Sequence, residues 1–216
     1  MKLFRLLFRI YNPIRTFFRI KIRIVGKANK LALHNVFTSS SIFEIQGNNN
    51  FVSFGKCTKV GNTKVYISGN NNRILIKDSC RIKSLTLWIE DDNNLIEIND
   101  RCSIESAHLA VTENDRKIEI GADCMLAKEI VIRTGDSHSI IDIHTDKRIN
   151  PAKDVIIGEH VWLGERVTIL KGVNIADNVI VATGSIVTTD CFSNTLVAGS
   201  PAKVIKTNVT WLRERI

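Results

Sequence analysis

No run in the first thirty residues comes near the ~20 consecutive apolar side chains that a membrane-spanning helix needs. The segment is rich in Leu, Ile and Phe, but arginine or lysine interrupts it every few positions. The same interruptions deny it the continuous apolar stretch of a cleavable signal peptide. Acid is missing there altogether. Residues 1 to 30 hold nine of the 30 basic residues and none of the 22 acidic ones, which leaves a near-neutral remainder with 21 basic residues. The formal charge of +8 therefore describes an arm and not a surface. No nucleic-acid motif accompanies it, so no nucleic-acid partner is expected. Without a secretory signal, the five cysteines are expected as free thiols in a reducing cytoplasm.

The arm, residues 1–24, reads MKLFRLLFRIYNPIRTFFRIKIRI, with Pro13 as a break. It predicts a short amphipathic helix followed by a second helical or extended piece. Such a segment suits docking on the anionic inner leaflet of a membrane, and suits equally a cap over the open end of a core. The 216 residues otherwise suffice for one substantial domain.

Internal repeats decide its architecture. In the C-terminal half Ile157, Leu163, Ile169, Ile175, Val181 and Val187 recur every six residues. Four residues after each stands a small or β-branched partner: Val161, Val167, Val173, Val179, Ser185 and Cys191. The N-terminal half repeats every 22 residues in four units, 47–68, 69–90, 91–112 and 113–134, each opening on a polar stretch such as Gly-Asn-Asn-Asn. The six-residue rhythm persists inside them, as in Ile76, Ile82 and Trp88, or Ile120, Leu126 and Ile132. Three hexads plus a four-residue corner insertion account for the longer period. Residues 26–46 read as a degraded earlier unit. The pattern predicts an all-β, three-sided coil of about seven to eight turns spanning 25–206, one short strand and one corner per hexad. Residues 207–216 are expected as a short C-terminal helix. Cys80, Cys102 and Cys124 share one place in successive units and should stack inside as small hydrophobes.

The stretch IGEHVWLGERVTILKGVNIADNVIVATGSIVTTDCFSNTLVAGSPAKVIK (157–206) resembles the hexapeptide-repeat acyltransferases, most nearly the sugar O-acetyltransferases related to galactoside and capsular polysaccharide acetyltransferases. The likeness covers 120–206 best, with the Gly-Ser-Pro-Ala-Lys-Val-Ile segment (199–205) as its more specific signature. Ala176 and Ala182 stand where glycines are common, and Cys191–Phe192 where a proline-containing turn is usual. The resemblance implies a left-handed parallel β-helix, assembled as a homotrimer with its sites between subunits. It also implies acetyl-coenzyme A as co-substrate and a sugar or polysaccharide acceptor, with no metal.

The rhythm breaks once, where Gly135-Asp136-Ser137-His138 opens a loop and residues 139–150 leave the repeat. Period-breaking loops are where function is added to a repeat protein. Transfer to a hydroxyl needs a base that titrates near neutrality, which imidazole supplies. By resemblance His138 is that base, and Trp162, 24 residues on, lines the acetyl and acceptor site. Asp136 or Asp142 is a candidate to orient the imidazole. Backbone N–H groups at a glycine corner such as Gly164 suit the oxyanion. Carried over by position, Glu165, Thr183 and Gly184 border the pantetheine arm, and Thr188, Lys203 and Lys206 the nucleotide end. Glu113 and Asp115 are candidates for acceptor hydroxyls or an amine.

Three rival readings remain at this level. One is N-acetylation of a nucleotide-linked amino sugar in the same groove. Another is a zinc-dependent β-helix carbonic anhydrase drawing on His108, His138, His144 and His160. The third is a purely structural β-helix, which predicts no period-breaking loop.

Overall fold

The computed structural model describes residues 20–33, 37–38 and 40–216. The first nineteen residues of the basic arm, and with them its expected helix, lie outside the described residues. The fold is a left-handed parallel β-helix of about seven turns, and no helix occurs among the described residues.

Inward-pointing aliphatic side chains dictate the stacking. On one face Val60, Ile82, Ile104, Leu126, Leu163, Val181 and Val197 lie in direct register from coil to coil. On the second face the column is Val65, Leu87, Leu109, Ile132, Ile169, Val187. On the third it is Phe54, Ile76, Ile98, Ile120, Ile157, Ile175. All of these are buried, so the six-residue rhythm of the C-terminal half is the core itself. The first two faces run into each other through the long strands Lys59–Ser68, Arg81–Glu90 and Ser103–Val111, while the third is a separate seven-stranded sheet. Strand Lys21–Val25 already pairs in parallel with Ser41–Gln46, so the coil takes in the end of the arm.

One rung departs from the expected rhythm. Trp88 does not point inward; Leu85, Leu87 and Ile89 do, and Trp88 stands outside, stacked on Tyr66 at 4.0 Å between ring centroids. Arg81–Glu90 continues across two faces as one ten-residue strand. Simple alternation therefore replaces the hexad, and the phase slips by one residue.

The cysteines stack as expected. Each thiol of Cys80, Cys102 and Cys124 donates to a backbone carbonyl of the following coil, that of Asn99, Gly121 or Gly158, at 3.2 Å. Contact with Cys124 and burial push the Cys102 thiol up to about 12, and Cys80 rises too. Corners are made by residues with left-handed backbone, among them the column Ser79, Arg101, Asp123 and His160. The Gly-Asn-Asn-Asn corners are less loop-like than their composition suggests. Asn50, Asn72 and Asn94 are buried in a ladder in which each Oδ1 accepts the N–H one coil on, from Asn72 at 2.9 Å, Asn94 at 2.8 Å and Arg116 at 2.7 Å.

The C-terminal segment also differs from expectation. Strand Ala202–Thr207 turns back antiparallel on Thr195–Gly199, and residues 208–216 stay non-helical. Ten residues are too few for a helix to hold by propensity alone, and this tail has better partners on the coil. Trp211 is buried and stacks on His160 at 4.2 Å, and its indole N–H donates to the His160 carbonyl at 2.8 Å. Arg213 reaches Asp123 at 2.9 Å.

Replacing Asn72 by Ala strands the Asn94 N–H and the Asp91 carbonyl, which should cost about 2–4 kcal/mol. Thermal melts followed by circular dichroism should show a clear fall for Asn72→Ala. Arg81→Ala, at an exposed strand position of the same unit, should change stability by less than ~0.5 kcal/mol.

Candidate active site

The loop that breaks the repeat leaves the coil at Thr134 and returns at Val155. Gly135 is buried at its exit, where a Cβ would come within 2.5 Å of Thr112 Oγ1, so a larger residue there would push the Thr112 side chain aside. Lys153 N–H closes the loop on the Thr134 carbonyl at 2.8 Å. Inside it, Ile141–Asp142 pairs antiparallel with Lys147–Arg148. Asp142 makes the tip of this hairpin: one carboxylate oxygen accepts from the N–H groups of His144 and Thr145 at 2.9 Å, and these bonds hold its pKa below the usual range. Asp142 thus shapes the hairpin, and no hydrogen bond joins it to His138 among the described residues.

Asn150 is the hub. Its amide donates to Asp136 at 2.7 Å and to the His138 carbonyl at 2.9 Å, and its Oδ1 accepts the Ile140 N–H at 2.6 Å. Two coils grip the loop from either side. From the preceding one, Glu113 binds the Arg148 guanidinium and accepts the Ala152 N–H at 3.2 Å. From the following one, Lys171 binds Asp136 and donates to the Asn150 carbonyl at 3.0 Å. The Lys171 ammonium and then Asn150 hold the Asp136 carboxyl below its ordinary range, and Arg148 does the same for Glu113. Asp136 therefore serves the loop; it makes no hydrogen bond to the imidazole of His138. Asp115, at the exposed left-handed corner, stays outside this arrangement.

His138 is thereby held, exposed and with no hydrogen bond to its ring among the described residues, at the rim of a cavity of about 680 Å³. Trp88, His108, Ala110, Thr112, Glu113 and Arg133 are among its lining residues. Trp88, His108 and Arg133 were not singled out from the sequence as acceptor-facing residues. Their outward position depends on strand phase, which the six-residue count misplaces at Trp88.

Trp162 is not in this cavity. It lies outward on the first face, in the row Met125, Trp162, Ile180, Leu196, Lys206, whereas the His138 loop leaves from the end of the second. Around Trp162 the structure collects most of the other candidates. Glu165, Thr183 and Gly184 share one corner, where the Gly184 N–H donates to the Glu165 carbonyl at 2.8 Å and the space beside Gly184 is open. Lys203 and Lys206 stand exposed on the strand that flanks this face, and Thr188 is exposed on the turn after Ile186–Val187. Gly164 is buried: a Cβ would meet the Thr183 nitrogen at 2.6 Å, and its N–H donates to the Val181 carbonyl at 2.8 Å. That N–H belongs to the ladder, so Gly164 serves the corner's close packing and not an oxyanion. Trp211, another residue the sequence did not mark, lies 6.2 Å from Trp162.

His160 is taken up by Asp123 at 2.7 Å and the Trp211 carbonyl at 3.1 Å. Burial works against ionisation of Asp123, but hydrogen bonds from His160 and Arg213 bring its pKa below the ordinary value. Among the described residues no three His, Cys, Asp or Glu side chains converge as metal ligands.

Comparison with known proteins agrees with the fold. Residues 154–189 match the family described as hexapeptide repeat of succinyl-transferase. The chain is 52% identical over 89 residues to the polysialic acid O-acetyltransferase of Escherichia coli O1:K1 / APEC, a stretch that is 41% of this chain but 29% of that protein. Two solved structures match over nearly the whole chain. The polysialic acid O-acetyltransferase OatWY is 33% identical with a TM-score of 0.81, covering 90% of this chain and 93% of its own. The polySia-specific acetyltransferase NeuO is 33% identical with a TM-score of 0.77, covering 91% and 89%.

Because Asn150 is the hub of the loop, Asn150→Ala should leave the melting temperature of the coil nearly unchanged. It should speed hydrogen exchange at Ile140 about tenfold or more. Acid should act alike. Carboxylates with lowered native pKa stabilise the loop above their unfolded values and lose that contribution as pH falls through the native ones. Protection factors across 136–152, taken against the slower intrinsic exchange in acid, should thus fall below pH ~4 while the buried ladder stays protected.

Proposed function

The chain belongs to the hexapeptide-repeat acyltransferase family that includes the polysialic acid O-acetyltransferases OatWY and NeuO, and we propose that it moves an acetyl group from acetyl-coenzyme A to a hydroxyl of a sugar in a surface polysaccharide. One observation carries this reading: an imidazole with no hydrogen bond of its own is held by a doubly clamped loop at the rim of a sugar-sized cavity. The clamps fix the backbone of His138 beside the cavity, which brings its imidazole within reach of a bound hydroxyl as general-base catalysis requires.

In the step proposed, His138 takes the proton of the acceptor hydroxyl as its oxygen bonds to the thioester carbonyl carbon. The tetrahedral intermediate then expels coenzyme A as the C–S bond breaks, and the imidazolium returns the proton to the leaving sulfur. Acceptor ester and free thiol result, with atoms and charge balanced.

The donor half of the site is the ridge around Trp162, with Glu165, Thr183 and Gly184 at its corner. Lys203, Lys206 and Thr188 supply cations and a hydroxyl suited to nucleotide phosphates. Within one chain this half and His138 lie on different faces of a triangular prism. We therefore propose a homotrimer whose clefts set the Trp162 ridge of one copy against the His138 loop of the next. The hydroxyl acceptor is favoured over an amine by the care spent on the base, because an amine needs less help to lose its proton.

The basic arm supplies a cellular setting. Residues 1–19 carry five cations and no acid, and attraction to anionic lipid is worth about 1 kcal/mol for each. We place the enzyme in the cytoplasm, against the inner face of the membrane where surface polysaccharides are assembled. A variant lacking residues 1–19 should stay in solution when the full chain sediments with anionic vesicles; equal sedimentation of both removes this part.

Thiol release in the presence of polysaccharide acceptors tests the activity. His138→Ala should lower turnover by about 10²–10⁴-fold with coenzyme A binding retained. Trp162→Ala should impair donor use. Co-expressed in equal amounts, these two variants should regain about a quarter of wild-type activity, because one subunit interface in four then pairs an intact His138 with an intact Trp162. No recovery would place both residues in one chain's site and overturn the shared cleft.

A further inference from the structure

Beyond strand Ala202–Thr207 the chain turns back along the coil and descends it corner by corner. The Val209 N–H donates to the Asn194 carbonyl at 3.1 Å, and the Thr210 hydroxyl to Asn178 Oδ1 at 2.7 Å. Trp211 then stacks on His160, with ring centroids 4.2 Å apart and planes at 8°. Arg213 reaches Asp123 Oδ1 at 2.9 Å and Ser103 Oγ at 2.8 Å. Asn194, Asn178, His160 and Asp123 are the left-handed corners of successive coils, so residues 209–213 form a strap laid across all four. The lengths agree: three strand spacings make about 14 Å, and four extended residues span about 13–14 Å.

The strap is clasped by a ring that meets two acceptors. His160 Nδ1 lies 2.7 Å from Asp123 Oδ2, and Nε2 lies 3.1 Å from the Trp211 carbonyl. A carboxylate and a carbonyl only accept, so both contacts are made only when each ring nitrogen carries a proton. The neutral ring has one N–H to give, and the carboxylate is the stronger acceptor; the bond to the tail is the one that lapses. Charge on the ring also suits the indole stacked against it. Arg101 and Asp123 precede His160 in the corner column, and the uncharged Asn178 and Asn194 follow it. Glu159 comes just before it in the chain, its N–H donated to Asp177 Oδ1 at 2.7 Å. From the strap itself comes Arg213. Burial opposes ionisation of Asp123, but hydrogen bonds from His160 and Arg213 keep its carboxyl below the ordinary range.

The strap ends beside the donor ridge. Trp162 follows His160 by two residues, and the Trp211 ring stands 6.2 Å from it with the planes at 50°. Trp211 is buried whereas Trp162 is 37% exposed, so one side of the outward indole rests on the strap and the remainder faces out. Its neighbours in the outward row are the aliphatic side chains of Met125 and Ile180, and the rigid plane that sets its orientation is Trp211.

We propose that residues 209–213 are a positioning strap that holds Trp162 for the donor, and that the His160 imidazolium, shared between Asp123 and the Trp211 carbonyl, is its protonation-sensitive clasp. This deepens the acetyl-transfer reading and rests on it. His160, Trp211 and Arg213 act through Trp162 and not on the reacting atoms. The sign follows from the partners. The clasp is whole while His160 is charged and Asp123 ionised, and it loosens as pH rises and the ring gives up its proton. The general base runs the other way, since His138 accepts a proton only when neutral. Donor affinity and turnover therefore respond to pH in opposite directions.

Coenzyme A binding is followed by titration without acceptor, and acetyl transfer to oligosialic acid by thiol release, each from about pH 6 to about pH 9. The wild-type Kd is taken relative to His160→Gln at each pH, so that ionisation of the coenzyme's own phosphates cancels. That ratio should rise about fivefold from the low to the high end, the loss of one hydrogen bond. The protection factor of the Val209 N–H should fall over the same course in the wild type and stay level in His160→Gln. Trp211→Leu should raise the KM for acetyl-coenzyme A about tenfold, Trp211→Phe should recover most of that, and neither should move the acceptor KM more than about twofold. All three variants should keep the circular dichroism of the coil, because the strap is added to a ladder complete without it. A level Kd ratio removes the clasp. If transfer proceeds and Trp211→Leu keeps the wild-type donor KM, the strap is wrong and the activity stands. If oligosialic acid and other polysaccharides are not acetylated yet coenzyme A binding follows His160 and Trp211 as described, the strap stands and the activity falls.

Discussion

Everything in this molecule is subordinate to the strand-on-strand ladder. Each coil must present its hydrogen-bonding groups to the next within a few tenths of an ångström, and each inward aliphatic must land on the one before it. Leu126 on Leu163 on Val181 is one such column, and Ile132 on Ile169 on Val187 another. A chain bound by that rule cannot widen a strand to make a pocket. It can only leave at a corner and come back in phase. The loop after Thr134 does this: Lys153 closes it against the Thr134 carbonyl, and Val155 pairs with Ile118 as though nothing had intervened. The buried asparagines serve the same rule at the other corners, where their side chains replace the backbone partners that a four-residue insertion displaces.

The same constraint is the reason for proposing a site divided between copies. Sequence neighbours in a solenoid are placed on successive faces, so His138 and Trp162, one coil apart, cannot meet across a solid core. A prism's faces meet those of another copy, however, and a cleft between copies joins a loop at one corner to a ridge on a different face. Within a chain the ladder uses up the backbone donors near Trp162, as the Gly164 N–H shows. Oxyanion stabilisation has to come from groups at the cleft that the ladder does not consume.

Sequence reading captured what depends on period and missed what depends on phase. The aliphatic columns, the stacked thiols and the loop at 135 were all visible, because each follows from counting residues. Trp88 was misplaced because a ten-residue strand crossing two faces switches the count from six to two. The roles of Asp136 and Asp142 were hidden for another reason. A carboxylate beside a histidine in sequence suggests an orienting partner, but Lys171 and the hairpin amides are better partners, and Lys171 is brought near only by the next coil. The C-terminal tail escaped too. Nothing local tells a ten-residue segment that His160 and Asp123, 51 and 90 residues from their partners in it, offer a berth for Trp211 and Arg213.

A repeating scaffold also shows how its outer surface is varied at small cost. The row Tyr66, Trp88, Ala110, Arg133 is one position of the repeat occupied four times. Stacking of the first two makes a rigid wall, shrinking the third opens a gap, and charging the fourth closes it with a cation. No backbone change is needed, because outward rungs take no part in the core. The ladder that forbids pockets inside the coil fixes the spacing outside it, so the gap between Trp88 and Arg133 spans two strands over the single methyl of Ala110.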